Sequence, residues 1–151
     1  MTAYVSNRGA ASDAPIHAER IGVPVIVTAS YTFGAAVAPA INDTIAVLYV
    51  PANHVLVPQL CRVYGAELDS NASPTLTLDV GFDGAADVLF DGIALGNAAG
   101  FYDHAGTNSA ALLAQLTSSS DRLLQALFKT ANATAVNNKT IYFDIAYKAV
   151  H

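Results

Sequence analysis

The fold is decided between Ile41 and Phe82, in the stretch INDTIAVLYVPANHVLVPQLCRVYGAELDSNASPTLTLDVGF. In the last part of this stretch, hydrophobic and polar residues alternate on two sides of the chain: Leu76, Leu78, Val80 and Phe82 against Thr75, Thr77 and Asp79. A period of two is typical of a β-strand with one buried face and one wetter face. We therefore predict a strand over Thr75–Phe82.

Other segments rich in β-branched and aromatic residues predict further strands. In chain order they are Val23–Phe33, Thr44–Val50, Val55–Asp69 (one or two strands), Arg122–Thr130 and Thr140–Lys148. Thr44–Val50 is an almost continuous apolar run, which predicts that both of its faces are covered. The last two strands alternate clearly, with these residues predicted to face inward: Leu124, Ala126, Phe128, Ile141, Phe143, Ile145 and Tyr147. Between them, Val136–Lys139 predicts a turn joining hairpin partners.

Two segments depart from this pattern. Residues 1–20 are small, polar and irregular, which predicts either an N-terminal arm or a frayed terminus before a single domain at residues 21–151. Residues 83–121 are punctuated by glycines and predict a long connection with short helical turns, one of them at Ala110–Leu116. About seven or eight strands with little helix predict an all-β fold, a two-sheet antiparallel sandwich or jelly roll.

The composition indicates a protein that buries surface against other chains. Hydrophobic residues make up 53% of the sequence and charged residues only 13%, against a usual charged share of about 25%. So few charges cover a monomer poorly, which favours contact with other subunits. The alternative is a tightly packed β domain with a surface of Ser, Thr and Asn.

Several classes of partner are disfavoured by the same totals. The net charge is −5 and the seven Lys and Arg residues are scattered, so we expect no nucleic acid partner. No apolar run reaches the roughly 18 residues of a membrane helix, so we expect no membrane partner. A single cysteine, Cys61, and the lack of a secretory signal pattern predict synthesis in a cytoplasm.

No set of residues in the sequence predicts catalysis or a cofactor. The four histidines are far apart and show no metal-ligand spacing: His17, His54, His104 and His151. Cys61 lies in an apolar run, which predicts a buried, inert thiol. An acidic series spaced by four admits two interpretations, turn residues or a loop calcium site: Asp79, Asp83, Asp87 and Asp91. We expect a protein that is not an enzyme.

The order of strands and turns between Asp43 and Gly81 resembles the small head decoration, or capsid cement, proteins of tailed phages. The matching pieces are Asp-Thr-Ile, Leu-Tyr-Val-Pro-Ala, Glu-Leu-Asp, Ser-Pro-Thr-Leu-Thr-Leu-Asp-Val-Gly and the closing strand Thr-Ile-Tyr-Phe-Asp-Ile-Ala-Tyr. The resemblance implies a jelly-roll domain on the outside of a virion, made in the host cytoplasm. It also implies a homotrimer that binds the major capsid protein and clamps neighbouring capsid subunits.

The arm, the apolar strand and the glycine-rich segment 92–108 are the predicted contacts with other subunits or the capsid. The predicted contact residues are Tyr4, Arg8, Asp13, Pro15, Val47, Tyr49, Phe101 and Tyr102. One alternative is a glycan- or receptor-binding β-sandwich of a phage fibre or other appendage, although the chain has no Trp for an aromatic platform. A second alternative is a cupin-type enzyme, which would require a bound metal.

Overall fold

A computed structural model of the chain describes residues 1–10, 22–69, 73, 75–95, 100–104, 112, 118–131, 134 and 136–150. In these ranges the chain forms ten strands and one 3-10 helix, Pro58–Leu60. The strands are β1 (Ala3–Arg8), β2 (Val25–Thr32), β3 (Thr44–Val50), β4 (His54–Leu56), β5 (Arg62–Gly65), β6 (Leu78–Phe82), β7 (Ala85–Ile93), β8 (Gly100–Asp103), β9 (Arg122–Phe128) and β10 (Thr140–Ala149). In the part of the chain covered by these ranges, no helix is long and apolar enough to cross a membrane.

The strands form two sheets that pack face to face. The first sheet has the order β1-β3-β9-β6-β7, and the second has the order β2-β10-β5-β8, with β4 also paired to β10. Every pairing is antiparallel except that of β1 with β3. The predicted all-β sandwich is confirmed. It has ten strands in the described ranges, slightly more than the seven or eight predicted.

Eight of the strands form a jelly roll, which is a long antiparallel ribbon folded over on itself. The two halves of the chain pair in reverse order: β2 with β10, β3 with β9, β5 with β8 and β6 with β7. The ribbon turns back at Asp83–Gly84, between the paired residues Phe82 and Ala85. Gly84 has a φ of 76°, a left-handed conformation that glycine adopts without a steric penalty.

The core fills the space between the inner faces of the two sheets. The inward positions predicted for β6, β9 and β10 are confirmed, since each of these residues is buried: Leu78, Val80, Phe82, Leu124, Ala126, Phe128, Ile141, Phe143, Ile145 and Tyr147. Buried residues of both sheets form one hydrophobic cluster, as expected for a sandwich of two packed sheets.

Two local predictions are wrong. The 83–121 segment, predicted to be a long connection, contains strands β7 and β8. Its glycines within the described ranges lie in a hairpin turn, at Gly84, and within the strands themselves. Val136–Lys139 does not join hairpin partners, since β9 lies in the first sheet and β10 in the second. The predicted helix at Ala110–Leu116 lies outside the described residues except for Leu112, which is buried.

Strand β1 closes one edge of the sandwich. The Ser6 hydroxyl donates a hydrogen bond to the backbone carbonyl of Val47 in the first sheet. The Asn7 Oδ1 accepts a hydrogen bond of 2.8 Å from the backbone N–H of Ser30 in the second sheet. Residues 3–8 of the predicted arm are therefore paired in a sheet. Residues 11–21 lie outside the described ranges, so the division into arm and domain stays a prediction.

Asp43 anchors the start of β1 through a buried carboxylate. It accepts hydrogen bonds from the backbone N–H of Thr2, from the Ala40 N–H at 3.0 Å and from the Tyr4 hydroxyl at 3.4 Å. Burial alone would raise the pKa of Asp43, but these hydrogen bonds outweigh it and lower the pKa below its ordinary value. The ionised carboxylate therefore stabilises the folded chain.

We expect Asp43→Asn to destabilise the protein at neutral pH by about 1–3 kcal/mol, because an amide cannot accept hydrogen bonds from all three donors. A lowered pKa in the folded state gives stability that is present above the ordinary pKa of about 3.9 and is lost as the pH falls through the lower value. The free-energy gap to wild type in urea unfolding should therefore shrink at acidic pH. Asp87→Asn, at an exposed carboxylate, is the matched control. A pH-independent gap would contradict this role.

Gly81 in β6 lies under the backbone of β7. A Cβ atom built on Gly81 would lie 2.1 Å from the carbonyl oxygen of Ala85 and 2.6 Å from the carbonyl carbon of Ala86. Backbone atoms cannot move away as a flexible side chain can. The pairing of β6 with β7 changes register here, so the hairpin is built around this close approach.

We expect Gly81→Ala to destabilise the protein by about 1–3 kcal/mol or more through overpacking. Gly34→Ala is the matched control, because the nearest atom to its added Cβ is a Val37 methyl carbon at 3.8 Å. Urea unfolding monitored by tyrosine fluorescence would measure both. Equal stability of the two variants would show that β7 does not pack on Gly81 as described.

Candidate functional site

The outer face of the first sheet carries no charged side chain over β1, β3 and β9. Strand register places its members in rows: Ala3, Thr44 and Leu127; Val5, Ala46 and Gln125; Tyr49 and Leu123. Val5 is 49% exposed, and the residues from β3 and β9 are half-buried. We call these eight residues the uncharged face. Such a face can be covered by another protein without the cost of removing charges from water.

The outer face of the second sheet carries three aromatic rings in one row. Tyr142, Tyr64 and Phe101 occupy directly paired positions on β10, β5 and β8. The ring centroids of Tyr142 and Tyr64 are 5.1 Å apart with an interplanar angle of 11°, and those of Tyr64 and Phe101 are 5.2 Å apart at 20°. Phe101 is 70% exposed. We call this row the aromatic ladder.

A row of polar side chains runs beside the aromatic ladder, two residues along each strand. The Thr28 hydroxyl donates to Asp144 at 2.6 Å, and Arg62 Nε donates to Asp103 at 3.0 Å. The Arg62 guanidinium also lies 5.9 Å from the Phe101 ring centroid. Burial raises the pKa of Tyr64, and the Asp144 carboxylate, which accepts its hydrogen bond, adds to the shift. The polar row therefore contacts the ladder at Tyr64 and at Phe101.

A cleft of about 470 Å³ opens on the other side of the ladder. Its floor consists of small residues, Gly65, Ala66 and Gly100, and the aromatic rings form one wall. The opposite rim consists of Asn138 and Lys139, from the turn before β10, and Thr140, the first residue of β10. Of the lining residues within the described ranges, Lys139 is the one that carries a charge. This volume lies in the range of small-molecule sites, about 300–1,000 Å³.

The predicted contact residues fall in different places. Tyr49 is on the uncharged face, Phe101 ends the aromatic ladder, and Arg8 is exposed at the end of β1. Tyr4 is half-buried and packs on Tyr31 at the edge of the sandwich. The roles of these four as contact residues stay predictions.

Three further positions complete the predicted set. Val47 is completely buried in the core of the single chain, so its side chain has no surface left for a neighbour. Tyr102 is half-buried and donates a hydrogen bond to the Ala94 carbonyl. Asp13 and Pro15 lie outside the described residues. The aromatic ladder as a unit was not predicted, since only cross-strand register brings Tyr64 and Tyr142 beside Phe101.

The acidic series does not converge on one point. Asp79 is buried, accepts the Gly92 N–H at 2.6 Å and pairs with Lys129 Nζ at 3.5 Å. Asp91 pairs with the same Lys129 at 2.7 Å, and the hydrogen bond from Lys129 lowers the pKa of Asp91. Asp83 and Asp87 are exposed elsewhere. Within the described ranges, no three His, Cys, Asp or Glu side chains lie close enough together to hold a metal ion.

The described histidines occupy separate structural positions. His54 is buried, with its Nδ1 2.9 Å from the Ala52 carbonyl oxygen. His104 packs edge-on against Phe90, with ring centroids 5.9 Å apart, and burial lowers the pKa of His104. His17 and His151 lie outside the described residues. The two described rings therefore contribute to packing at different parts of the sandwich.

Cys61 is buried beneath the end of β10, as predicted. Its Sγ lies 3.3 Å from the backbone nitrogen of Ala146 and 3.5 Å from the carbonyl oxygen of Val57. Burial raises the pKa of Cys61 to about 11. A buried thiol with a raised pKa is a poor nucleophile, because the thiolate is the reactive form.

The fold, but not the sequence, has recognisable relatives. No protein-family model and no curated protein matches the sequence. The structure described as the capsid of Ralstonia phage GP4 contains a similar chain, with a TM-score of 0.76, 21% identity and 98% of each chain covered. The capsid asymmetric unit of cyanophage Pam1 contains another, with a TM-score of 0.63, 18% identity and coverage of 93% of this chain and 94% of that one. At these identities the likeness shows a shared fold.

We expect native Cys61 to react with iodoacetamide at pH 8 at least roughly a hundredfold more slowly than the unfolded chain, because the raised pKa alone lowers the thiolate fraction by that factor. Mass spectrometry of the alkylated protein against time would measure both rates, with the chain in guanidinium chloride as the control. Similar rates in the two states would show that the thiol is accessible in the native protein.

Proposed function

We propose that this chain is a structural protein of a phage virion, which binds the outside of the capsid as a homotrimer and clamps neighbouring copies of the major capsid protein. The observation that carries the proposal is the fold match over 98% of both chains with a chain of a phage capsid. The whole jelly roll matches, including the chain's ten strands in the described ranges, rather than one motif. The role is structural rather than enzymatic and requires no cofactor.

The uncharged face supports contact between copies of the chain. Its members span three neighbouring strands and present apolar or neutral side chains that a partner can cover without desolvating a charge. Val5 is the larger of the two members on the edge strand β1, and Tyr49 is the largest of the three on β3. Charged residues make up only 13% of the sequence. This fits the same interpretation, because a chain whose surface is partly covered by other copies needs fewer charges to face water.

A homotrimer would hold the capsid more tightly than one chain could. Three linked copies each add a modest contact, and release requires all of them to break at once. Arg8, exposed at the end of β1, and the predicted arm residues around it are the proposed contacts with the capsid. The aromatic ladder is on the opposite face of the sandwich from the uncharged face, so copies joined through the uncharged face leave the ladder accessible.

We expect Tyr49→Asp to convert the trimer to a monomer without unfolding it, because the side chain lies on the outer face and a charge there would be buried at the interface. Native mass spectrometry would show three times the 15.6 kDa chain mass for wild type and a single chain for the variant. Tyr142→Asp, the same change on the opposite face, should stay trimeric. A monomeric wild type, or a trimeric Tyr49→Asp, would contradict the assignment of this face.

Val47→Asp should behave differently from Tyr49→Asp. Val47 is completely buried in the core, so an aspartate there would place an unpaired charge among apolar side chains and prevent folding. Circular dichroism and solubility separate this outcome from loss of assembly.

Capsid binding itself is tested by co-sedimentation. Purified wild-type protein, mixed with capsids of the encoding phage that lack it, should pellet with the capsids and raise the temperature at which they rupture. Tyr49→Asp should pellet more weakly, because avidity is lost. No binding of the folded wild-type trimer to mature capsids would contradict the proposed function.

A further inference from the structure

The cleft beside the aromatic ladder has the properties of a ligand site rather than of a packing defect. Its floor is lined by residues with little or no side chain, Gly65, Ala66 and Gly100. Three polar side chains from the start of β10 and the turn before it form the rim. One wall is an exposed aromatic surface. We propose that this cleft binds a saccharide that carries a carboxylate. The proposal goes beyond a role in the capsid and does not depend on it.

The charge of the cleft favours an anionic ligand. Lys139 is the one charged residue among the described residues that line it, on a chain whose net charge is −5. No carboxylate oxygen of the described residues lies within 4.0 Å of the Lys139 ammonium nitrogen. The carboxylates of Asp144 and Asp103 lie in the polar row on the far side of the ladder, where Thr28 and Arg62 hydrogen-bond to them. The cleft is therefore locally cationic.

The stacked rings add to this preference. Because the ring planes of Tyr142 and Tyr64 are nearly parallel at 5.1 Å, their faces cover each other and their edges are turned outward. An aromatic edge carries partial positive charge and attracts electron-rich oxygen atoms. Phe101 ends the row on edge strand β8 and is 70% exposed. Its ring can pack against the apolar C–H face of a sugar.

The remaining polar groups fit a saccharide better than an acidic peptide. A peptide added to a sheet pairs along the free backbone groups of an edge strand. Of the strands that line the cleft, β5 and β10 are interior, and the edge strand β8 contributes two described residues, Gly100 and Phe101. What the cleft offers instead are side-chain groups, the Asn138 amide and the Thr140 hydroxyl, which also shares a hydrogen bond of 2.9 Å with the Thr32 hydroxyl. These groups both donate and accept hydrogen bonds, which suits the hydroxyl groups of a sugar ring.

Titration of the purified, folded protein with trigalacturonic acid, followed by ¹H–¹⁵N NMR, tests the proposal. The methyl-esterified trisaccharide is the matched ligand, because it has the same rings without the charges. A second pair, 3′-sialyllactose and lactose, tests the carboxylate on a different sugar. We expect at least one acid to shift the amide signals of residues 64–66, 100–101 and 138–142, and to bind at least about tenfold more tightly than its neutral counterpart.

Two variants test the assigned residues. Lys139→Gln should remove the preference for the acid, and Phe101→Ala should weaken both members of the pair. Lys148→Gln is the matched control, because Lys148 is on the same strand as Tyr142, six residues further along, and outside the cleft. Wild-type binding is expected for this control, and all three variants should keep the wild-type unfolding midpoint.

Three results would overturn the proposal. The first is no binding of either acid at millimolar concentration, and the second is equal binding of the acids and their neutral counterparts. The third is binding of pentaglutamate, at the same residues, more tightly than either saccharide, which would assign the cleft to an acidic peptide. None of these results bears on capsid binding, which is measured separately by co-sedimentation and by oligomeric state.

Discussion

The antiparallel pairing of the two halves of the chain about Asp83–Gly84 is the constraint on which the rest of the structure depends. Each of the four jelly-roll strands before this turn, β2, β3, β5 and β6, pairs with the strand at the mirrored position after it. A shift of one residue in any of these pairs would exchange the inner and outer faces of a strand. The buried residues of β6, β9 and β10 therefore specify the register, and the register then decides which residues reach the surface.

Both candidate surfaces follow from this register. Because Ile141, Phe143 and Ile145 must face the core, Tyr142 must face outward, and its directly paired neighbour on β5 is Tyr64. The same rule applied to β5 and β8 places Phe101 third in the row. On the first sheet it collects Tyr49 and the outward residues of β9 into a face without charge. Neither surface is encoded in a contiguous motif.

The sequence alone supports the strands whose pattern is local. Alternation identifies β2, β6, β9 and β10, and an apolar run identifies β3 with its correct bounds. The sequence does not predict β7 and β8. As a sequence signal, a glycine required by a hairpin turn or by a close backbone approach cannot be distinguished from a glycine in a flexible connection. The sequence also fails for Val47, since a register shift between Ala46 and Leu48 turns two consecutive residues inward. For the candidate site, the sequence pattern suggests Phe101 and Tyr49 as contact residues. It does not predict the aromatic ladder, because the ladder depends on cross-strand pairing, which a single sequence does not reveal.

The two outer faces differ in chemistry, and this difference is consistent with a different proposed role for each. On the uncharged face, a partner gains from burying apolar surface, and no ion must lose its water. On the ladder face, the charges of Asp144, Arg62 and Asp103 are already engaged with neighbours in the same chain, so covering them with a second protein would add little and cost desolvation. Beside these paired charges lie the three stacked rings, with Lys139 on the other side of them. A sandwich whose two faces differ in this way can be held in an assembly through one face and present the other to solvent, where a small charged ligand can reach it.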